Sequence, residues 1–101
     1  MASSREYLNF ILDQLSEVKG VSKRAMMGEY LIYVCGTLIG GIYDDSFLIK
    51  PVSAALERLP GAALAEPYPG AKKLLAVDKL DDKGFLKELL EAVAEEIAAS
   101  K

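Results

Sequence analysis

Leu8, Ile11, Leu12, Leu15 and Val18 recur at spacings of three and four residues, the period that lines one face of a helix. Tyr7 and Phe10 widen that face. Ser3 and Glu6 stand at the spacing of a capping box, in which each side chain satisfies a free backbone N–H at the helix start. Gly20 is placed to end the element in the left-handed conformation. The pattern predicts a helix over 4–18.

The period then changes. From Val21 to Lys50, β-branched and aromatic residues dominate and glycines punctuate them. Residues 21–27 alternate weakly and read as a strand. Residues 29–35 form a second strand that is apolar on both sides, with Leu31, Tyr33 and Cys35 on one and Tyr30, Ile32 and Val34 on the other. A strand of that kind is central or covered twice. Cys35 and Gly36 suit a tight turn into a third strand over 37–43. Inside it, the adjacent Gly40 and Gly41 predict a bulge or the close approach of another backbone. Asp44, Asp45 and Ser46 form a turn cluster, and a short strand over 47–50 stops at Pro51. Connections this short imply an antiparallel meander.

Ser53 can cap a short helix through Leu59, halted by Pro60 and Gly61. Residues 60–71 hold three prolines and two glycines and read as a loop with a short strand near Leu64. Residues 72–77 predict a last strand. Asp81 or Asp82 then caps a final helix whose stripe is Phe85, Leu86, Leu89, Leu90, Val93 and Ile97. On its polar side Lys87 and Glu91 sit one turn apart. Strands in a run with helices outside it predict an α+β fold of two layers, an antiparallel sheet with flanking helices in the order helix, four strands, helix, strands, helix. No repeat or composition break divides residues 1–101, so they read as a single domain. A chain of 101 residues buries roughly 65% of its unfolded surface, enough for a core of its own.

Composition changes this picture mainly by what it lacks. There is no histidine and one cysteine. Catalysis by Ser-His-Asp or Cys-His is therefore excluded, as is a zinc site built of Cys and His ligands. With Cys35 the only thiol, no intrachain disulfide can form, which favours a reducing compartment. No stretch has the spacing of a phosphate loop or a dinucleotide fingerprint. The pairs Asp44 with Asp45 and Asp81 with Asp82 read as turn and cap residues. The expectation is no catalytic residue, no metal and no cofactor. Cys35, among apolar neighbours, reads as a small hydrophobe in the sheet rather than a redox thiol.

Formal charge is −3, with five basic and six acidic residues in 1–50 and seven and nine in 51–101. An overall field that repels phosphate argues against direct nucleic-acid binding, despite the local Lys19, Lys23 and Arg24. The start of the chain lacks the features of a signal peptide, and the longest uncharged run, 30–43, is too short and glycine-broken to span a bilayer. A cytoplasmic location without membrane association is expected.

The stretch Arg24, Ala25, Met26, Met27, Gly28, Glu29, Tyr30 resembles the opening of the N-terminal domain of the TfoX/Sxy competence regulators: an arginine, a Met-Phe-Gly-like step, then an apolar strand. Here Met27 stands for the aromatic and Glu29 for a second glycine. A hairpin at Cys35 and Gly36, a strand with Leu38, Ile39 and Gly41, Phe47 leading to Lys50, a loop with Pro67, Tyr68 and Pro69, and an aspartate-started last helix follow the same order. The similarity runs from about residue 4 to 97 and covers a standalone N-terminal domain. It implies a secretion-chaperone-like two-layer fold, no enzymatic activity, and bacterial regulation of competence and transcription with a protein partner, the cyclic-AMP receptor protein or other transcription machinery.

Two functional readings follow. In the first, the chain is a cytoplasmic regulatory or adaptor domain that works by protein contacts. Arg24, Met27, Tyr30, Tyr33 and Lys50 would supply the Arg, Met and aromatic anchors that dominate interfaces. One sheet face would be covered by such a partner or by a second copy in a homodimer, with core packing as the competing explanation. Arg24 could instead pair with Glu17 or Glu29 at the surface. In the second reading, a pocket between sheet and last helix holds a small apolar ligand, in a carrier or a minor enzyme.

Overall fold

The computed structural model describes residues 4–26, 29–67 and 69–100. Its elements run α1 (Arg5–Gln14), β1 (Val21–Met26), β2 (Glu29–Val34), β3 (Thr37–Tyr43), β4 (Ser46–Ile49), α2 (Ser53–Arg58), β5 (Leu64–Ala65), β6 (Leu74–Ala76) and α3 (Lys83–Ala99). The strands make one antiparallel sheet in the order β1-β2-β3-β4-β6-β5. This is the α+β meander with flanking helices that the pattern predicts.

α1 begins and ends later and earlier than its periodicity suggests. Ser4 is the N-cap, its hydroxyl accepting from Tyr7 N–H at 3.1 Å; the expected cap, Ser3, lies outside the described residues. After Gln14 the hydrogen bonds tighten to three-residue turns, Ser16 N–H to Asp13 O and Val18 N–H to Leu15 O. Leu15 and Val18 nonetheless stay buried, so the apolar stripe outlasts the helix. Gly20 does take a positive φ of 76°, but six residues beyond the helix. It lies where a Cβ would come within 2.6 Å of Cys35 Sγ.

The hairpin turns follow the sequence closely. Cys35 and Gly36 have φ of 50° and 81°, and Asp44 and Asp45 have 51° and 54°. Positive φ at both central residues is what a two-residue type I′ hairpin needs to match strand twist. In β3, the register against β2 shifts between Ile32 and Tyr33. A Cβ on Gly40 would overlap Leu48 O and sit 2.6 Å from Ile49 Cα, while one on Gly41 would sit 2.5 Å from Tyr30 O. The paired glycines thus serve both a bulge and a close backbone approach.

All three helices pack on one side of the sheet. Their Leu8, Ile11, Ala54, Ala55, Leu86, Leu89, Leu90 and Val93 form a single cluster with Ile32, Val34, Ile39, Ile42, Phe47, Ile49 and Leu75 of the strands. Each large side chain removed from water there contributes about 1.5–3 kcal/mol. The layer between sheet and α3 is filled: Ile32, Ile39, Ile42, Leu86, Leu89, Leu90 and Val93 have no exposed surface. Capping fixes the helix starts. Asp82 accepts from Phe85 N–H at 3.0 Å. α2 has no cap of its own, and the Glu96 carboxylate of α3 accepts from Ser53 N–H at 3.1 Å and Ala54 N–H at 2.7 Å. A distant carboxylate therefore does the work of a local N-cap. Among the described residues, no helix is long and apolar enough to cross a membrane.

Candidate partner-binding face

Residue pairing assigns every strand side chain to a face, because directly opposed residues point the same way. β1 and β2 pair as Val21 with Val34, Lys23 with Ile32 and Ala25 with Tyr30 on the inner, helix-covered side. Ser22 with Tyr33, Arg24 with Leu31 and Met26 with Glu29 lie on the outer side. β3 and β4 continue the outer side with Leu38, Gly41, Tyr43 and Leu48. Lys50 follows Leu48 at strand spacing and lines an outer cleft with Leu38 and Tyr43.

The structure therefore brings Arg24, Tyr33 and Lys50 to one face. It does not bring Tyr30 there: that ring packs against the core on the inner side. Met27 lies outside the described residues, and its neighbour Met26, 41% exposed, occupies the outer face. Arg24 does not pair with Glu17 or Glu29. The Glu29 carboxylate accepts from Asp44 N–H, at 3.1 Å to Oε2. Among the described residues, neither Arg24 nor Lys23 makes an ion pair. Cys35 corrects its expected place. It sits in the hairpin turn rather than in a strand and is exposed, its thiol donating to Lys19 O at 3.7 Å.

The outer face has two unlike halves. Over β4 and the end of β3, Glu66, Pro67, Pro69, Ala71 and Lys72 lie across the sheet. Tyr43 and Leu48 are 8% and 3% exposed beneath them. Two clefts run under this crossing. One of about 500 Å³ has Tyr43, Leu48 and Ala76 against Pro67 and Pro69, with Glu29, Asp44 and Glu66 at its margin. The other, about 240 Å³, has Leu38 and Leu74 against Pro67 and Ala71, with Lys50 and Lys72. Over β1 and β2 no such cover exists among the described residues. Leu31 and Tyr33 are half-buried, and Ser22, Arg24 and Met26 are exposed. Sequence pattern shows that β2 is apolar on both sides; it does not show that a distant loop covers only part of the outer one. The prolines and glycines of 60–71 are the only trace of that crossing.

No group of three or more acidic or cysteine side chains among the described residues is placed to hold a metal ion. No family model matches the chain, and no solved structure matches it. The chain is 32% identical over 102 residues to the uncharacterized 12.7 kDa protein in the trpE 5′ region of Spirochaeta aurantia. It belongs to the family of that protein. The match spans 100% of this chain and 89% of the Spirochaeta protein, so the sheet, its outer face and all three helices fall within the part that the two family members share.

Proposed function

We propose that this chain is a small cytoplasmic regulatory or adaptor domain that acts through protein–protein contacts, of the kind formed by the N-terminal domain of the TfoX/Sxy competence regulators. The observation that carries the reading is the uncovered half of the outer sheet face. There Arg24, which makes no ion pair among the described residues, exposed Met26 and Tyr33 adjoin half-buried Leu31. Arg, Tyr and Met are the residue types enriched at interface centres. A partner from the transcription machinery, with the cyclic-AMP receptor protein as the first candidate, or a second copy of the chain would cover this half as Pro67, Pro69 and Ala71 cover the other. A carrier with a ligand between sheet and last helix is the weaker reading, since side chains fill that layer.

The test is affinity capture from the native host with the wild-type chain and with Arg24→Ala plus Tyr33→Ala. Truncating two interface anchors costs about 2 kcal/mol or more, so a partner held by this face is lost on washing. Retention of every captured protein by the double variant removes the face from the interaction.

A further inference from the structure

β1 ends the sheet on one side and β5 on the other. The two edges differ. β5 is two residues long. β1 is six residues long, contains no proline, and keeps one unbroken register against β2 through all six pairs. Natural edges are usually blunted by shortness, bulges, proline, charged side chains or a covering segment; of these β1 has only its charges, Lys23 and Arg24, and no segment among the described residues covers it. Ser22 to Met26 are all exposed. That includes Lys23 and Ala25, which point to the inner side beyond the reach of the helices. An added strand would find room on both faces.

The backbone phase of the free edge can be read directly. Cys35 N–H donates to Gly20 O at 2.8 Å, and Gly20 stands opposite Cys35 in the register that pairs Val21 with Val34. Hydrogen-bonded and non-bonded pairs alternate along an antiparallel ladder. Ser22, Arg24 and Met26 therefore turn their N–H and C=O groups toward β2. Val21, Lys23 and Ala25 turn theirs outward, where a further strand would accept and donate.

Charge selects the strand. In a two-fold pairing of β1 with a second β1, residues of like face oppose each other, so a central register sets Lys23 against Lys23 or Arg24 against Arg24. Like charges directly opposed destabilise a ladder. A strand with two adjacent carboxylates instead places one opposite Lys23 on the inner side and one opposite Arg24 on the outer side. We infer that β1 is a docking edge for an extended acidic peptide segment of a protein partner, bound by strand addition. The inference rests on the reading of this chain as a protein-contact module and names the partner's chemistry at its edge.

The probe is the capped hexapeptide TVEDVT, with TVKKVT as its charge-reversed counterpart, followed by NMR with amide hydrogen exchange on the full chain. TVEDVT at millimolar concentration slows exchange of the Lys23 and Ala25 amides on the order of tenfold, and TVKKVT does not. Ala25→Pro removes an outward N–H and leaves the ladder to β2 intact, as proline on a free edge permits; it abolishes this protection. Arg24→Pro removes an inward N–H and is the destabilised control. Lys23→Glu with Arg24→Glu, both on exposed positions, exchanges the preference to TVKKVT and keeps the assay decisive if the proline variant unfolds. Absence of TVEDVT binding overturns the inference. So does continued preference for TVEDVT after charge reversal, or a wild-type dimer that Ala25→Pro dissociates. Protection that falls on Tyr33 and Leu38 instead overturns the edge but leaves the outer face standing, and Tyr33→Ala alone separates the two.

Discussion

The two halves of the outer sheet face start from similar side chains and end in different environments. Tyr43 and Leu48 are closed off under Pro67, Pro69 and Ala71, whereas Tyr33 and Leu31 are only half-buried and border exposed Arg24 and Met26. Strand composition is the same in kind on both sides. What differs is whether a later part of the chain returns to cover it. An apolar strand face therefore marks a need for cover, and topology decides whether the chain itself or another molecule supplies it.

The seam between the halves is β3, and the largest effect is expected there. Gly40→Ala would drive a methyl into Leu48 O and Ile49 Cα. Both are backbone atoms of a paired strand, so relief requires β3 and β4 to separate. A loss of about 3 kcal/mol or more is expected. At roughly 4–8 °C per kcal/mol for a domain of this size, thermal unfolding followed by circular dichroism reads it. Gly36→Ala is the control. Its Cβ meets nothing within 4 Å, and only the positive φ of 81° resists it, at about 1–2 kcal/mol.

Next in size is a direct comparison across the seam. Leu48→Ala should cost about 2–4 kcal/mol, as a buried leucine does. Leu31→Ala, half-buried on the open side, should cost about 1 kcal/mol or less. Chemical denaturation at micromolar and at high protein concentration measures both. A Leu31→Ala penalty that grows with concentration would mean that a second copy covers the open half, and the asymmetry would then belong to the monomer alone.

Much of this architecture is legible along the chain. Thr37–Tyr43 and the start of β2 fall where alternation and turn residues place them, and both positive-φ hairpins coincide with Cys35-Gly36 and Asp44-Asp45. Those features are local, set by side-chain period and turn chemistry. What escapes is non-local. Leu15 and Val18 continue a helical stripe although the backbone has left the helix, because burial and conformation share a period but not a cause. The capping of α2 by Glu96 joins residues more than forty apart. The same holds for the candidate face: alternation correctly separates Tyr33 from Tyr30, but only the register shows that Tyr30 turns to the core and that Arg24 shares the side of Tyr33.

Glu96 also offers a smaller test of the covered half. α2 leads into the segment that crosses the outer face, and the Glu96 carboxylate holds its first two free amides. Glu96→Ala should cost about 1 kcal/mol, as loss of an N-cap does. Hydrogen exchange should quicken at Ser53, Ala54 and the residues after α2, while the amides of β1 and β2 keep their rates. Equal loosening of both halves would show that α2 does not control the cover.

The smallest expected effect lies on the inner side of the covered half. Tyr7 packs against the core beside Phe47 and Asp45. Burial raises its phenol pKa above the ordinary 10.0; a backbone hydrogen bond with Phe47 opposes the shift, and the charge of Asp45 adds to it. The folded state therefore holds the neutral phenol to higher pH than the unfolded chain does. Above the unfolded pKa the unfolded state binds fewer protons, so stability falls as pH rises. The contribution is intact below about pH 10 and is lost as pH climbs through the raised value. Tyr7→Phe deletes the titrating group and keeps the ring. Plotted against pH between neutrality and the alkaline limit, the difference in stability between wild type and Tyr7→Phe should be flat at first and then turn against the wild type. A difference that stays flat throughout would mean that the phenol remains as well solvated in the folded chain as in the unfolded one, and that the covered half is less tightly closed at its inner edge than Leu48 is at its outer one.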